Sequence, residues 1–138
     1  MPKIIRFGIS LDEDLLKKFD SLINRKNYTN RSEAIRDLIR ESLVKDEWHK
    51  NVEVTGAIIL VYDHHKREVL NSLMDIQHDY HKNIISTQHL HLDHNNCLEI
   101  IATKGLSKTI EGLFTRLKSL KGVKYANFAA ATTGKDVH

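Results

Sequence analysis

The sequence has a single cysteine, no apolar run as long as a transmembrane span, and no signal peptide at its start. One cysteine cannot form a disulfide within the chain, so its thiol suits the reducing cytoplasm. We therefore expect a cytoplasmic protein with no membrane partner.

The sequence also lacks a strongly basic tail. The formal net charge is +3, and residues 1–50 hold 11 Lys/Arg against 9 Asp/Glu. The composition, 41% hydrophobic and 28% charged, is that of ordinary globular domains. Any binding to nucleic acid must therefore come from locally placed side chains.

Residues 5–10 alternate between apolar side chains and others, which predicts a β-strand. One face would carry Ile5, Phe7 and Ile9, and the opposite face Arg6, Gly8 and Ser10. A single strand cannot stand alone in water, because its backbone groups need partners. No second strand follows nearby.

Two helices follow this strand instead. Asp12 is the expected N-cap of the first helix, and Asn30 is the expected cap of the second, in a pattern close to a capping box. The order β-α-α over residues 1–47 favours two copies that pair their strands as an antiparallel ribbon and close one core with four helices. Residues 48–52 lack Gly and Pro and are the predicted linker.

The stretch from His89 to Cys97 combines two histidines with the only cysteine. In a strand over residues 84–92, His89 and His91 share one face. The polar residues 93–96 predict a turn, after which a second strand begins at Cys97. Two imidazoles and a thiolate at one hairpin tip form a ligand set that transition-metal ions favour.

Residues 53–138 predict a second domain with the order β-α-β-β-α-β. The expected strands cover residues 54–62, 84–92, 97–104 and 123–132, with one helix over residues 65–81 and another before Gly122. This order is the ferredoxin-like split unit, so the fold class is α+β.

The first 47 residues, and the string from Asn30 to Asp37, resemble ribbon-helix-helix DNA-binding proteins. The resemblance implies that the ribbon enters the major groove of double-stranded DNA. It directs Arg6, Gly8 and Ser10 toward base edges, although Gly8 offers no side chain. It also places Asn30, Arg31 and Ser32 at a phosphate, at the start of the second helix.

The second domain resembles the small-molecule-sensing ACT domain. Joined to a ribbon-helix-helix domain, with His89-x-His91-x5-Cys97 and a histidine near the end of the preceding helix, it closely resembles the nickel-responsive repressor family, NikR. The resemblance implies one Ni(II) per subunit, held by His89, His91 and Cys97 with His78 of a neighbouring subunit. It implies that Glu99 anchors hydrogen bonds of the nickel ligands. The remaining histidines of this region would face solvent, with His64 and His81 open to weaker, secondary metal binding.

The same resemblance implies a homotetramer, a dimer of dimers that reads an operator with two half-sites. It implies repression of nickel-uptake genes, with nickel controlling operator binding. It further implies a second, potassium-like cation between the domains, for which Glu33 and Asp37 match the family. Their alternative role is ordinary charge on a helix surface, four residues apart.

Other functions stay open from the sequence. A metalloenzyme would need an open coordination position and a nearby base, and the chain has no His-Glu-x-x-His motif. A regulator of this architecture could sense Zn, Cu or Co, or an amino acid. A structural zinc site in a dimer is a further reading.

Overall fold

The computed structural model describes residues 2–138. It forms two compact units, the first ending at Ile39 and the second running from Arg40 to His138. Within residues 2–138, no helix is long and apolar enough to cross a membrane. Together the units contain the helices and strands of the expected α+β fold class, which is confirmed.

Two helices dominate the first unit. Helix α1 covers Glu13–Arg25, and helix α2 covers Arg31–His49 and continues into the second unit. The Asp12 side chain accepts a hydrogen bond from the Leu15 backbone N–H at 2.8 Å, and Asn30 accepts one from the Glu33 N–H at 2.9 Å. Both expected caps are therefore confirmed.

The strand expected over residues 5–10 is not formed in the single chain. Residues 2–11 have neither helix nor strand, and the side chains of Ile5 and Phe7 are 76% and 72% exposed. A strand needs a second strand for its backbone hydrogen bonds, and the single chain offers none here, so the pairing of this segment between two copies stays a prediction.

Helix α2 extends into the segment that the sequence assigned to a linker. Trp48 and His49 belong to its last turn. Trp48 is 9% exposed, packs with Val54 and Ile110, and donates its indole N–H to the Ala131 carbonyl at 2.9 Å. The sequence assigned Trp48 to a linker because local sequence pattern does not reveal contacts with residues distant along the chain. The division into residues 1–47, 48–52 and 53–138 stays a prediction.

The second unit contains a four-stranded sheet and two helices. In chain order they are β1 (Glu53–Asp63), α3 (Arg67–Asp79), a 3-10 turn (His81–Asn83), β2 (Ile84–His91), β3 (Asn96–Leu106), α4 (Ser107–Lys118) and β4 (Val123–Ala130). The sheet order is β2-β3-β1-β4, with all neighbours antiparallel. The expected β-α-β-β-α-β arrangement is confirmed.

One face of this sheet forms the core. Alternate residues of β1 and β3 are buried, as the period of two in a strand requires. The two helices contribute their own buried residues to the core: Val69, Leu73 and Ile76 from α3, and Ile110, Leu113 and Leu117 from α4. Tyr62 and Cys97 lie on this buried face, directly opposite each other in the β1–β3 pair.

Candidate metal centre

The pairing of three strands brings the chemically active side chains together. Strand β3 lies between β1 and β2, so Cys97 is opposite Tyr62 on one side and His91 on the other. Two pairs further along the β2–β3 ladder, His89 is opposite Glu99. The site is therefore positioned by backbone hydrogen bonds of a packed sheet.

Cys97 is the centre of the cluster. Its side chain is fully buried, and Sγ lies 3.1 Å from Nδ1 of His64 and 3.4 Å from Nδ1 of His91. Among residues 2–138, these three form a potential metal-binding group whose donor atoms all lie within 4.8 Å of one another. An ion about 2.0 Å from a nitrogen and about 2.3 Å from a sulfur separates those two atoms by roughly 3.1–3.6 Å. Both measured distances lie in that window.

Without an ion, the Cys97 thiol keeps its proton at neutral pH and His64 is uncharged. Burial raises the pKa of the Cys97 thiol, and the charges of Glu99 and Asp93 raise it further. Burial also lowers the pKa of His64, as do the neighbouring histidines. The short contact between Cys97 and His64 therefore joins a thiol to a neutral imidazole, and a metal ion must displace the thiol proton.

His89 lies beside this group and is held by different partners. Its Nδ1 is 3.2 Å from the Tyr62 hydroxyl and 3.9 Å from Oε1 of Glu99. Its ring centroid is 5.3 Å from that of His91. Tyr62 and Glu99 lie on the same face of the sheet as His89 and restrict the orientation of its ring.

Glu99 is a buried carboxyl group between two polar neighbours. It is 7% exposed, and burial raises its pKa, while His89 and a hydrogen bond from Gln77 at 3.3 Å act in the opposite direction. Gln77 in turn accepts a hydrogen bond from Thr87 at 3.4 Å. This chain of contacts connects helix α3 to the strand that carries His89.

His78 stands apart from the cluster in the single chain. It lies exposed in the last turn of α3, where its ring stacks on His81 with centroids 5.9 Å apart. The structure thus brings His91 and Cys97 together, with His89 beside them. The four-residue set of His78, His89, His91 and Cys97 stays a prediction.

His64 is the residue that the sequence reading underrated. We expected it to face solvent, but it is only partly exposed and contacts Cys97 directly. One signal could have found it: the even-numbered residues of β1 are buried, and His64 continues that series one residue after the strand ends. Proximity to Cys97 itself depends on the β1–β3 register, which local sequence does not reveal.

The predicted DNA contacts of the first unit are exposed. Arg6, Gly8 and Ser10 lie in the extended segment before α1. Arg31 donates two hydrogen bonds to the Asp20 carboxylate at 2.9 and 2.8 Å, which holds the pKa of Asp20 below its usual value. Ser32 is exposed one residue further on. DNA contact by these residues stays a prediction.

The two carboxylates predicted for a second cation have protein partners in this structure. Glu33 pairs with Arg36, and Asp37 accepts a hydrogen bond from the Tyr28 hydroxyl at 2.7 Å. The contact of Glu33 fits its alternative role as helix-surface charge. The contact of Asp37 connects α2 to Tyr28 in the segment before it. The second cation therefore stays a prediction.

Comparison with known proteins gives matches over both halves of the chain. The model of the NikR C-terminal nickel-binding domain matches residues 55–131, and that of ribbon-helix-helix proteins of the copG family matches residues 5–46. A relative from Syntrophus aciditrophicus is 56% identical over 98% of both chains, and one from Pyrococcus furiosus is 49% identical over 97% of this chain and 98% of its own. Both are provisionally named nickel-responsive regulators.

One solved structure is similar in fold. An uncharacterized protein from Thermotoga maritima covers 57% of this chain and 98% of its own, with a TM-score of 0.53 and 14% identity. At that identity the likeness concerns the fold alone.

Proposed function

The chain belongs to the family of nickel-responsive regulators, and on that premise we propose that it binds operator DNA under the control of Ni(II) and represses nickel-uptake genes. Members of this family are transcriptional regulators and not enzymes. The observation that carries the proposal is the buried Cys97 thiol with imidazole nitrogens at metal-ligand spacing. It supplies the sulfur and nitrogen donors that a nickel sensor requires.

We propose that one Ni(II) per subunit is held by His89, His91 and Cys97, with His78 of a neighbouring chain as fourth ligand. Four strong donors of this kind favour a planar arrangement for Ni(II), whereas Zn(II) has no such preference. The residues fit this role, because Cys97 and His91 already lie at the separation of two donors on one ion. When bound, nickel would supply a cross-link between α3 of one chain and the sheet of another.

The protein's own groups prepare this site. Tyr62 and Glu99 orient the ring of His89, which reduces the rotamer freedom that binding would otherwise have to remove. The contacts from Glu99 through Gln77 to Thr87 already connect α3 with the sheet. An ion that fixes His78 to a neighbouring chain would therefore act on a helix that already contacts β2 and β3 of its own chain.

Control of DNA binding follows from a difference in affinity between two states. A ligand shifts an equilibrium only by binding one state more tightly than the other. We propose that nickel favours a homotetramer in which α3 is ordered and two dimers are placed for two half-sites. Amino-acid sensing, which this fold could also serve, would leave the Cys97 cluster without a role.

At the DNA, Arg6 and Ser10 would contact base edges and residues 30–32 a phosphate. Arg31 is paired with Asp20 in the free protein, but both side chains are about half exposed, at 56% and 42%. Ion pairs this exposed are weak, so a phosphate can replace Asp20 at little cost. Glu33 and Asp37 remain our proposed ligands for a second, potassium-like cation, which would have to compete with Arg36 and Tyr28.

The test is operator binding by the full-length protein with and without Ni(II). For the wild type we expect nickel to raise DNA affinity by about 5–150-fold, the usual range of coupling between two sites. Cys97→Ala should abolish that gain and the near-ultraviolet absorption of the nickel–thiolate bond. His94→Ala, an exposed histidine in the turn before Cys97, is the matched control and should behave as the wild type.

Two results would count against the proposal. One is an undiminished nickel effect in Cys97→Ala. The other is equal DNA affinity for the nickel-loaded and zinc-loaded wild type, because the mechanism requires that only the planar set engages His78.

A further inference from the structure

The three donors at Cys97 differ from the proposed nickel ligands in one respect that matters. His64, His91 and Cys97 all come from one chain, whereas the nickel set needs His78 of a neighbour. The two sets share His91 and Cys97. They differ in whether His64 or His89 completes the group on the same chain.

The geometry favours His64 over His89 as the third donor in the single chain. Nδ1 of His64 is 3.1 Å from Sγ of Cys97, and the potential metal-binding group at this sulfur contains His64 and His91 but not His89. The rings of His64 and His91 are nearly perpendicular, at 81°, with centroids 5.2 Å apart. Such an arrangement points two nitrogens and a sulfur at one position without rearrangement of the backbone.

We propose that His64, His91 and Cys97 form a second metal site, complete within one subunit, that takes a tetrahedral divalent cation such as Zn(II) or Co(II). Three protein ligands leave a fourth position for water, the usual pattern of an open tetrahedral site. Binding replaces the S–H bond of Cys97 with a sulfur–metal bond and releases one proton to solvent. The site itself does not depend on the proposed function.

The shared ligands give this site a regulatory consequence, which rests on the proposed nickel set. One thiolate at this position serves one ion, so occupation by zinc through His64 excludes nickel from the planar site, and the reverse. Zinc bound through His64 does not engage His78 and therefore does not order α3. The protein would then discriminate between metals by the coordination geometry that each ion prefers, planar or tetrahedral, and not by the general order of metal affinities.

The experiment compares metal binding by four full-length proteins: wild type, His64→Ala, His78→Ala and the control His94→Ala. Zn(II) affinity is measured by competition with a chromophoric chelator, and Co(II) binding by the intense visible absorption of a tetrahedral site. Ni(II) affinity is measured on the same samples. Far-ultraviolet circular dichroism checks that each variant is folded.

We expect His64→Ala to weaken Zn(II) binding at least tenfold, since the loss of even an outer partner of a ligand costs 10–100-fold. It should also lower the visible Co(II) absorption, with Ni(II) affinity changed by less than about threefold, well below such losses. His78→Ala should show the reverse pattern. His94→Ala should match the wild type for all three metals.

Zn(II) affinity and Co(II) absorption that are unchanged in His64→Ala would overturn the inference. So would a shift of the His89 ring, with none of the His64 ring, on zinc binding in a histidine-labelled nitrogen NMR spectrum of the wild type. That spectrum tests the ligand without any substitution. If instead His78→Ala keeps full nickel affinity, the proposed nickel set is wrong, while the result for His64 still stands.

Discussion

The two units of this protein differ in how complete they are as single copies. In the first, among residues 2–39, only Ile23 and Ala34 are buried hydrophobic residues, and Ile5, Phe7 and Ile9 are more than half exposed. In the second, residues of both helices and of the two central strands are fully buried around one sheet face. The second unit has a core of its own, and the first exposes the side chains from which a core would be built.

The units also differ in chemistry. No histidine or cysteine occurs before His49, so every soft metal ligand belongs to the second unit. A preformed sheet can hold ligands at fixed separations, which a metal site needs. The first unit instead carries residues 5–10, which alternate between apolar and other side chains. Their two faces become distinct only if a second copy pairs with this segment. Under the proposed function, metal sensing would use a scaffold that is complete in one chain, whereas DNA contact would require a second copy.

The largest effect should come from placing a charge on the exposed apolar face of the first unit. We expect Phe7→Glu to weaken dimerisation by about 4 kcal/mol or more, because a buried carboxylate would be left without a partner. That is roughly a thousandfold in the dissociation constant of the dimer. Sedimentation over a range of concentrations measures it.

The matched control for this change is Arg6→Glu, one residue away on the opposite face of the expected strand. It introduces the same side chain and should leave the dimer intact while removing DNA binding. A Phe7→Glu protein that dimerises like the wild type would show that this face is not covered by a second copy. That result would contradict the conclusion that the first unit is incomplete as a single copy.

The next largest effect concerns the core of the second unit. Leu113 is fully buried between α4 and the sheet, so Leu113→Ala should lower the free energy of unfolding of this unit by about 2–5 kcal/mol. Chemical denaturation of the full chain measures the change. Met74→Ala is the control, because Met74 is 70% exposed. A small effect at Leu113 would contradict a self-sufficient core.

The smallest effect, and the sharpest test of the chemical difference, is the pH dependence of nickel binding. Burial keeps the pKa of Cys97 above its ordinary value, so the free protein holds the thiol proton and the nickel form does not. Each bound ion therefore releases one proton, and the dissociation constant should fall about tenfold per pH unit from pH 7 upward. In acid, protons should also compete for the imidazole ligands and weaken nickel binding further.

Nickel titrations at several pH values, with proton release recorded in weakly buffered solution, measure this dependence. The dimerisation constant measured at the same pH values is the control, since the first unit contains no histidine or cysteine. A nickel affinity that does not vary between pH 7 and 8 would mean that Cys97 is already ionised in the free protein or is not a ligand.

Much of the fold could be predicted from local pattern. Apolar spacing gave α3 and the strands β2 and β3 to within two residues or so, because burial of one face imposes a period of 3.6 or 2. Asp12 and Asn30 were recognisable as caps because a short polar side chain satisfies free N–H groups at a helix start. The end of α2 could not be predicted in this way, because Trp48 in its last turn contacts residues far along the chain.

The candidate site divides in the same way. The sequence by itself determined the donor types and placed His91 and Cys97 on one hairpin, since six residues and a polar turn leave the chain little choice. Only the tertiary structure decided that His64 reaches the sulfur and that Tyr62 holds His89. Both follow from the pairing of β1 with β3, which joins residues more than thirty positions apart. That register is set by burial of a whole sheet face, and no short stretch of sequence contains it.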